Sequence, residues 1–209
     1  MVYKDILLTT KRSNGVNTKK FIILHHTASK MKDDLMAEYL AYNTAEVSCH
    51  YVIGVDGAIY KIGTDNDILW HAGISSWQGL TDLNKHSIGI EVNSDGKTFT
   101  DAQRKATKEL VLHLIKEYDI PHTNVLRHKD IAPNRKTDIG DTFWNTDYKT
   151  YADYQLSLTN PPMNLLSDRT IKLLQQLHPV APTELKLQIE QLAKDIRAYQ
   201  LAAGEPVTK

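Results

Sequence analysis

The sequence has little of three features that would each point to a particular class of protein. Cys49 is its only cysteine, which excludes an intrachain disulfide and disfavours a thiolate-rich structural zinc site. Lys+Arg and Asp+Glu are both 25, so no basic field suggests nucleic acid as the main partner. No apolar run approaches the roughly 20 residues of a membrane span. With 209 residues, 41% of them hydrophobic, the chain can form one substantial domain and a small appendage.

Residues 128–138 concentrate chemically active side chains in one turn-rich segment. The segment offers the imidazole of His128, the ammonium group of Lys136 and the carboxylate of Asp138. These three residues are spaced too widely for one face of a regular helix. Pro133 and Asn134 interrupt any helix or central strand there, because proline lacks the N–H donor and fixes φ. We therefore predict a loop whose polar side chains converge on one point.

His25 follows the apolar run 21–24, which is typical of a buried strand. Two histidines and an aspartate from separate elements, with the fourth position left to water, form the ligand set of a catalytic zinc. Taken alone, each of these residues also has a more common explanation that involves no metal. A histidine at a strand end is more often structural, and a lysine or aspartate in a polar loop is usually a solvated surface charge.

The segment 87–92 alternates apolar and small or acidic residues, which predicts a strand. One face carries Ile88, Ile90 and Val92, and the other carries Ser87, Gly89 and Glu91. We expect the second face to have little bulk, so that a substrate can approach closely while the Glu91 carboxylate projects from it. Taken alone, a glutamate such as Glu91 is more often an ordinary outward residue of a half-exposed strand than a catalytic one.

The remaining pattern predicts a mixed α/β layout. Asp33 and Asp34 begin a predicted helix, and a long polar loop over 64–86 carries Trp70 and His71 as one wall of a groove. The other expected elements are a hairpin of strands 49–55 and 58–62 around Asp56-Gly57, a helix opened by the capping box Thr100/Gln103, and a strand over 125–127. The first helix would carry Leu35, Tyr39 and Tyr42 at helical spacing, and the second would bury Ala102, Ala106, Leu110, Leu114 and Tyr118.

Beyond about residue 150 the sequence changes character, and we divide the chain into a catalytic domain, 1–155, and a C-terminal helical extension, 156–209. Asn160-Pro161-Pro162 predicts a hinge, followed by helices over 167–177 and 183–201 that form a hairpin. The second helix carries an apolar stripe of Leu185, Ile189, Leu192, Ile196 and Tyr199. The hairpin is either a wall-binding or partner-binding appendage or, as we favour, a permanently packed or chain-pairing element.

Four motifs occur together and in a particular order along the chain. They are Ile23-Leu24-His25-His26-Thr27-Ala28, Trp70-His71-Ala72-Gly73, the strand 87–93 and the segment 128–138. In order and spacing, over roughly residues 20–148, they resemble the zinc-dependent N-acetylmuramoyl-L-alanine amidases. These form the type 2 amidase family, whose fold is shared with phage-lysozyme amidases and peptidoglycan-recognition proteins. The resemblance therefore implies an α/β fold with a mixed central β-sheet flanked by helices.

The resemblance implies a role for each matching residue. His25, His128 and Asp138 would bind Zn²⁺, Glu91 would be the general base, and Lys136 would stabilise negative charge, while His71 and Trp70 would line the substrate groove. The phage-lysozyme branch has a cysteine ligand and a strand tyrosine where this chain has Asp138 and Cys49. The chain therefore matches the branch with a glutamate base and an aspartate ligand, and no catalytic role is expected for Cys49.

The resemblance also implies a reaction, which is hydrolysis of the amide between the lactyl group of N-acetylmuramic acid and L-alanine. The expected substrate is peptidoglycan, as for a cell-wall lysin, or soluble anhydro-muropeptides, as for a cytosolic recycling enzyme. A non-enzymatic peptidoglycan-recognition module is the third possibility, disfavoured by the complete ligand set. Residues 1–10 lack the apolar core of a signal peptide. We thus expect synthesis in the cytoplasm, then action on the wall after release, or retention in the cytoplasm for a recycling enzyme.

Overall fold

The computed structural model describes residues 1–144, 147–159, 173–174, 176–180, 182, 185–191 and 193–194. The chain divides into two units, Met1–Leu158 and Thr159–Lys209. Within the described ranges, no helix has the length and apolar character needed to cross a membrane.

Ten short strands occur in the described part of the first unit, and six of them form a mixed sheet. In chain order they are β1 (Asp5–Ile6), β2 (Arg12–Ser13), β3 (Phe21–His26), β4 (Tyr51–Ile53), β5 (Ile59–Lys61), β6 (Ile68–Leu69), β7 (Ser76–Trp77), β8 (Leu80–Thr81), β9 (Ser87–Val92) and β10 (Val125–Arg127). The sheet order is β1-β5-β4-β9-β3-β10, and only the β4–β5 hairpin pairs antiparallel. The hairpin turns at Gly57 with φ of 82°, as Asp56-Gly57 predicts.

Four α-helices accompany these strands in the described residues of the first unit: α1 (Asp33–Tyr42), α2 (Asp101–Tyr118), α3 (His128–Ile131) and α4 (Tyr151–Ser157). Helices and loops cover both faces of the sheet, so the predicted fold class is confirmed for this unit. On one face, Ile88, Ile90 and Val92 of β9 pack with Leu110 and Leu114 of α2. The opposite face has two smaller clusters, one around α1 and one beneath the segment 64–86, which the sequence analysis predicts as a loop but which contains the short strands β6, β7 and β8.

Helix α1 begins at Asp33 as expected, but the apolar spacing identified in its sequence marks the wrong side. Leu35, Tyr39 and Tyr42 are 50%, 45% and 61% exposed. The buried residues are Met36, Ala37, Leu40 and Ala41. Two apolar stripes compete on this short helix, and the smaller side chains are the ones that fit closely against the sheet.

Helix α2 opens with the predicted capping box, in which Thr100 Oγ1 accepts from the Gln103 amide and Gln103 Oε1 accepts from the Thr100 amide. Ala106, Leu110 and Leu114 are buried as expected. Ala102 is exposed, contrary to expectation, because it lies in the first turn, where Gln103 turns inward to donate to the Asn93 carbonyl.

The C-terminal sequence is described only in part. Helix α4, which the sequence analysis missed, ends the first unit and buries Tyr154. Residues 173–174, 176–177, 185–191 and 193–194 are helical, and Ile189 is buried while Leu185 is 45% exposed. The hinge at 160–162 and the remainder of the two predicted helices, with Leu192, Ile196 and Tyr199, lie outside the described residues.

Candidate metal centre

The candidate site lies at the carboxyl ends of three adjacent parallel strands. His25 ends the buried part of β3 and stands beside Glu91 of β9 in the strand register. On the other side of β3, β10 runs parallel and is followed directly by His128. Ligand sites of open α/β sheets commonly form at this end of the strands, where successive loops converge.

His128 begins one turn of helix, α3, where the sequence analysis predicts a loop. Asp130 caps this turn, because its carboxylate accepts a hydrogen bond from the Arg127 amide at 2.9 Å and further ones from the Arg127 guanidinium. Pro133 follows this turn and therefore does not interrupt it. The chain bends back after the turn, as predicted. The bend brings the Asp138 carbonyl to the Lys129 amide at 2.6 Å and places the Asp138 side chain beside His128.

His25, His128 and Asp138 converge on one point, each with one potential ligand atom. His25 Nδ1 lies 2.8 Å from His128 Nδ1, and Asp138 Oδ2 lies 3.1 Å from His128 Nδ1 and 3.4 Å from His25 Nδ1. All three residues are buried, with exposures of 1%, 2% and 8%. Two histidines and an aspartate whose ligand atoms lie this close together can hold a metal ion.

The charge state of the cluster suits a dication. Burial lowers the pKa of His25 to about 4, more than the neighbouring Asp138 carboxylate raises it, so its imidazole is neutral at pH 7. Burial alone would raise the pKa of Asp138, but contact with His128 and His25 outweighs it and keeps the carboxyl ionised. His25 therefore presents a nitrogen lone pair, and Asp138 adds one negative charge.

Zinc fits this donor set. The two imidazole nitrogens lie 2.8 Å apart, with the Asp138 oxygen beside them, so all three atoms can bind one cation. Tetrahedral zinc with bonds of about 2.0–2.1 Å separates its ligand atoms by roughly 3.3 Å, within about half an ångström of the present distances. Three protein ligands also leave one position open, as in catalytic rather than structural zinc sites.

Glu91 lies at the same edge of the sheet and has an unsatisfied oxygen. In the described part of the chain, its buried Oε2 has no hydrogen-bond partner. Burial raises the pKa of Glu91 to about 8, the Asp138 charge adds to the shift, and Lys136 opposes it. A carboxyl group that titrates near neutral pH is suited to taking and returning a proton.

The raised pKa of Glu91 predicts a stability effect in the metal-free protein. The unfolded chain releases this proton above about pH 4.5, whereas the folded protein holds it to about pH 8, so the free energy of unfolding falls between these values. Glu91→Gln removes this loss. Urea unfolding of chelator-treated protein should show the variant more stable than wild type by on the order of 2 kcal/mol at pH 8, with little difference near pH 4.5.

The matched control for this measurement is Glu109→Gln, which changes an exposed glutamate of α2. Its effect on the free energy of unfolding should stay small and independent of pH. If the free energies of unfolding of wild type and Glu91→Gln were equal across this pH range, the pKa of Glu91 would not be raised in the folded protein.

A cavity of about 740 Å³ opens beside the cluster. Glu91, His128, Lys136 and Asp138 line its polar side, and an apolar wall comes from α1 and the loops around it. That wall consists of Met31, Met36, Tyr39, Leu40 and Val47. The cavity can therefore hold a molecule with a polar reacting centre and an apolar flank.

The two aromatic residues of the Trp70-His71 pair have different surroundings. His71 is 6% exposed, borders the cavity and contacts His25, with 3.0 Å between His71 Nδ1 and His25 Nε2. Trp70 donates its indole N–H to Ser13 Oγ at 2.8 Å, joining the loop to β2. Trp70 thus has a structural hydrogen bond, and a role in substrate binding for either residue stays a prediction.

The expected open approach over Gly89 is wrong. A Cβ on Gly89 would lie 2.4 Å from His71 Cγ, and Ser87 on the same face is 0% exposed. Glycine is needed there because the His71 ring packs on the strand, so no substrate reaches that part of β9. Only Glu91, at the end of the strand, borders the cavity.

Sequence reasoning missed the contacts behind the histidines. Ala72, Asn84 and Arg135 hold the loop 64–86 against the site through backbone and side-chain hydrogen bonds. The Trp70-His71-Ala72-Gly73 motif was the available signal, but nothing in it predicts a carbonyl contact. Cys49 is buried against α1 and donates to the Tyr51 carbonyl.

Comparison with protein families gives one clear match. The profile described as "N-acetylmuramoyl-L-alanine amidase" matches residues 15–141, which contain all five residues assigned to the site. The amidase AmiD of Escherichia coli K12 is 34% identical over 141 residues, 59% of this chain and 50% of the relative. The 1,6-anhydro-N-acetylmuramyl-L-alanine amidase AmpD of Haemophilus influenzae is 39% identical over 107 residues, 50% of this chain and 56% of the relative.

A solved structure supports the same relationship. The complex of AmiD from E. coli with anhydro-N-acetylmuramic acid-L-Ala-D-gamma-Glu-L-Lys has a TM-score of 0.56 and 33% identity, over 64% of this chain and 58% of that one. The resemblance inferred from the four motifs is confirmed. The chain spans about half the length of the curated relatives it matches.

Proposed function

The chain belongs to the N-acetylmuramoyl-L-alanine amidase family, and we propose that it hydrolyses the amide bond between N-acetylmuramic acid and L-alanine. One observation carries the proposal. Two histidine nitrogens and a carboxylate oxygen converge within 3.4 Å beside a cavity that Glu91 and Lys136 also line. This set supplies metal ligands, a proton carrier and a cation for one hydrolytic reaction.

In this proposal His25, His128 and Asp138 hold a zinc ion. When bound, zinc supplies a Lewis acid that polarises the amide carbonyl and acidifies water. Glu91 takes a proton from the attacking water and returns it to the departing nitrogen, because an amine leaves far more easily once it is protonated. Its raised pKa supports both halves of this task.

Lys136 stabilises the negative charge that develops on the carbonyl oxygen. Its side chain borders the same cavity as Glu91, and its backbone is fixed by a hydrogen bond from its amide to the Ala132 carbonyl at 2.9 Å. A cation that is already in position costs no reorganisation when the charge forms.

We expect Lys136→Met to lower kcat by ~10², less than loss of the proton carrier, with a smaller change in KM. Steady-state kinetics on a soluble muropeptide, with zinc content measured in parallel, test this prediction. Lys129→Met is the matched control, since Lys129 pairs with Asp141 at 3.4 Å instead of bordering the cavity. Equal kcat for Lys136→Met and the control would remove Lys136 from the mechanism.

We propose peptidoglycan of the cell wall as the substrate, which makes the protein a wall lysin that acts after release from the cytoplasm. A second candidate is the recycling of soluble anhydro-muropeptides in the cytoplasm. Two observations favour it: the AmpD relative is named for the 1,6-anhydro sugar, and the ligand in the AmiD complex is an anhydro-muropeptide. A recognition module without activity would not require Glu91 and Lys136 beside a complete ligand set.

Side-by-side digestion separates these uses. The zinc-loaded protein is incubated with purified sacculi and with anhydro-muropeptides, and the products are identified by mass. A lysin releases stem peptides with a free L-alanine amino group from sacculi. A recycling enzyme releases them only from the soluble fragments, and a recognition module binds either substrate without releasing peptide.

A further inference from the structure

Both histidines of the candidate metal centre contact one short segment, His71-Ala72, through Nε2, the ring nitrogen that faces away from the cluster. We propose that this segment, clamped by Asn84, is a positioning element that fixes the ring tautomer of His25 and of His128, so that both Nδ1 atoms face the metal. The inference rests on the proposed function because it concerns the same site. It assigns His71 a positioning role instead of contact with substrate.

The His128 half of the argument depends on a backbone carbonyl. His128 Nε2 lies 3.1 Å from the Ala72 oxygen, and a carbonyl oxygen can only accept. His128 Nε2 must therefore carry the proton, which leaves Nδ1 with a free lone pair directed at Asp138 and His25. Arg135 Nη2 donates to the same carbonyl at 2.7 Å and so fixes the oxygen in place.

The His25 half depends on a chain of three hydrogen bonds. The Ser87 hydroxyl donates its one proton to the Leu83 carbonyl at 2.6 Å, so its oxygen accepts from His71 Nε2 at 3.4 Å. His71 Nδ1 is then the acceptor for the N–H of His25 Nε2, at 3.0 Å. This leaves the Nδ1 atom of His25 without a proton, facing the cluster.

Asn84 and Gly89 keep the segment in position. Asn84 Oδ1 accepts from the amides of both His71 and Ala72, at 3.0 and 2.7 Å, and the side chain is 8% exposed. Gly89 leaves the space in which the His71 ring lies, since a Cβ there would come within 2.4 Å of it. One buried amide side chain thus orients the partners of both histidines.

These hydrogen bonds hold the rings of both histidines in the metal-binding orientation before the metal binds. Outer hydrogen bonds that fix the tautomer and orientation of metal-binding histidines typically change metal affinity by ~10–100-fold. His71 and Asn84 should therefore affect zinc binding although neither belongs to the proposed ligand set.

The test uses two matched pairs of variants in the full-length protein. His71→Asn keeps an acceptor near the position of Nδ1, whereas His71→Leu has a similar size and no acceptor. Asn84→Asp keeps the acceptor for the two amides, whereas Asn84→Leu removes it. Zinc affinity is measured by competition with a chelator, and urea unfolding of the metal-free proteins reports on their fold.

We expect His71→Leu and Asn84→Leu to weaken zinc binding by ~10–100-fold, and His71→Asn and Asn84→Asp to weaken it by much less. Equal zinc affinity within each pair, in proteins that unfold normally, overturns the inference. A wild-type protein that binds no zinc contradicts the proposed function instead.

Nitrogen NMR of the histidine rings in metal-free wild-type protein tests the tautomers without any variant or bound metal. The inference requires a protonated Nε2 on both His25 and His128. In His71→Leu, the signal of His25 should change to a mixture of tautomers while that of His128 stays. An unprotonated Nε2 on either ring of the wild-type protein refutes the inference, whatever the zinc measurements show.

Discussion

Glu91→Gln is expected to lower kcat by ~10²–10⁴ while the protein keeps its fold and its zinc. Glutamine has nearly the same size as glutamate but cannot take a proton from water at neutral pH. Since Glu91 is outside the ligand cluster, the substitution should leave metal content near one equivalent. The measurement is steady-state turnover of a soluble muropeptide, with zinc analysis of the same preparation.

The control for this prediction is again Glu109→Gln on the exposed side of α2. It should match wild type in turnover and in zinc content. If Glu91→Gln hydrolyses substrate at the wild-type rate, the strand carboxylate is a bystander and another group moves the proton.

The largest expected effect is loss of both metal and activity when the ligand cluster is broken. Asp138 supplies the negative charge of the cluster, and its buried oxygen lies within 3.4 Å of both histidine nitrogens. Asp138→Ala should lose most of the zinc and reduce hydrolysis to background, and His25→Ala should do the same. Metal analysis after gel filtration and turnover with added zinc measure the two effects separately.

Asp141→Ala is the matched control for the ligand substitutions. Asp141 is close in sequence, but its side chain is 63% exposed and pairs with Arg127 and Lys129. Zinc content and turnover should be unchanged in this variant, because exposed ion pairs contribute little. Full zinc retention by a His25→Ala, Asp138→Ala double variant would contradict the ligand assignment.

Local sequence signals predicted much of the fold. The strand 87–92 is observed at its predicted bounds, because strict alternation identifies a strand with one apolar face. Asp56-Gly57 predicted the hairpin because the turn needs a positive φ, and Thr100 with Gln103 predicted the start of α2 because the two residues cap each other. Each of these signals depends on neighbours in sequence only.

The errors concern properties that tertiary packing decides. Helix α1 could bury either of two apolar stripes, and the fit of small residues against the sheet selects the one with Ala37 and Ala41. Gly89 looked like space for a substrate, but the space belongs to His71, 18 positions earlier in the chain. Helix α4 was missed because its seven residues carry too short a periodic pattern.

The candidate site was predicted to a similar degree. Side chains with chemical character, His25, His128 and Asp138, stand out in the sequence and converge in the structure. The partners that orient them are less visible, since the Ala72 contact uses only a backbone carbonyl. Asn84 has no sequence feature that distinguishes it from other loop asparagines, and only the fold reveals that it holds two amides.

The most direct test of the central claim is the position of the bond that the zinc-loaded protein breaks. An anhydro-muropeptide is digested in water labelled with heavy oxygen, and the products are analysed by mass spectrometry. Hydrolysis of the proposed amide adds one hydroxyl to the lactyl carbonyl and one proton to the alanine nitrogen. The account predicts one heavy oxygen in the lactyl carboxylate of the sugar product, and an unlabelled peptide with a free L-alanine amino group. Label in the peptide, label at a sugar carbon, or an intact substrate with fully zinc-loaded protein would contradict it.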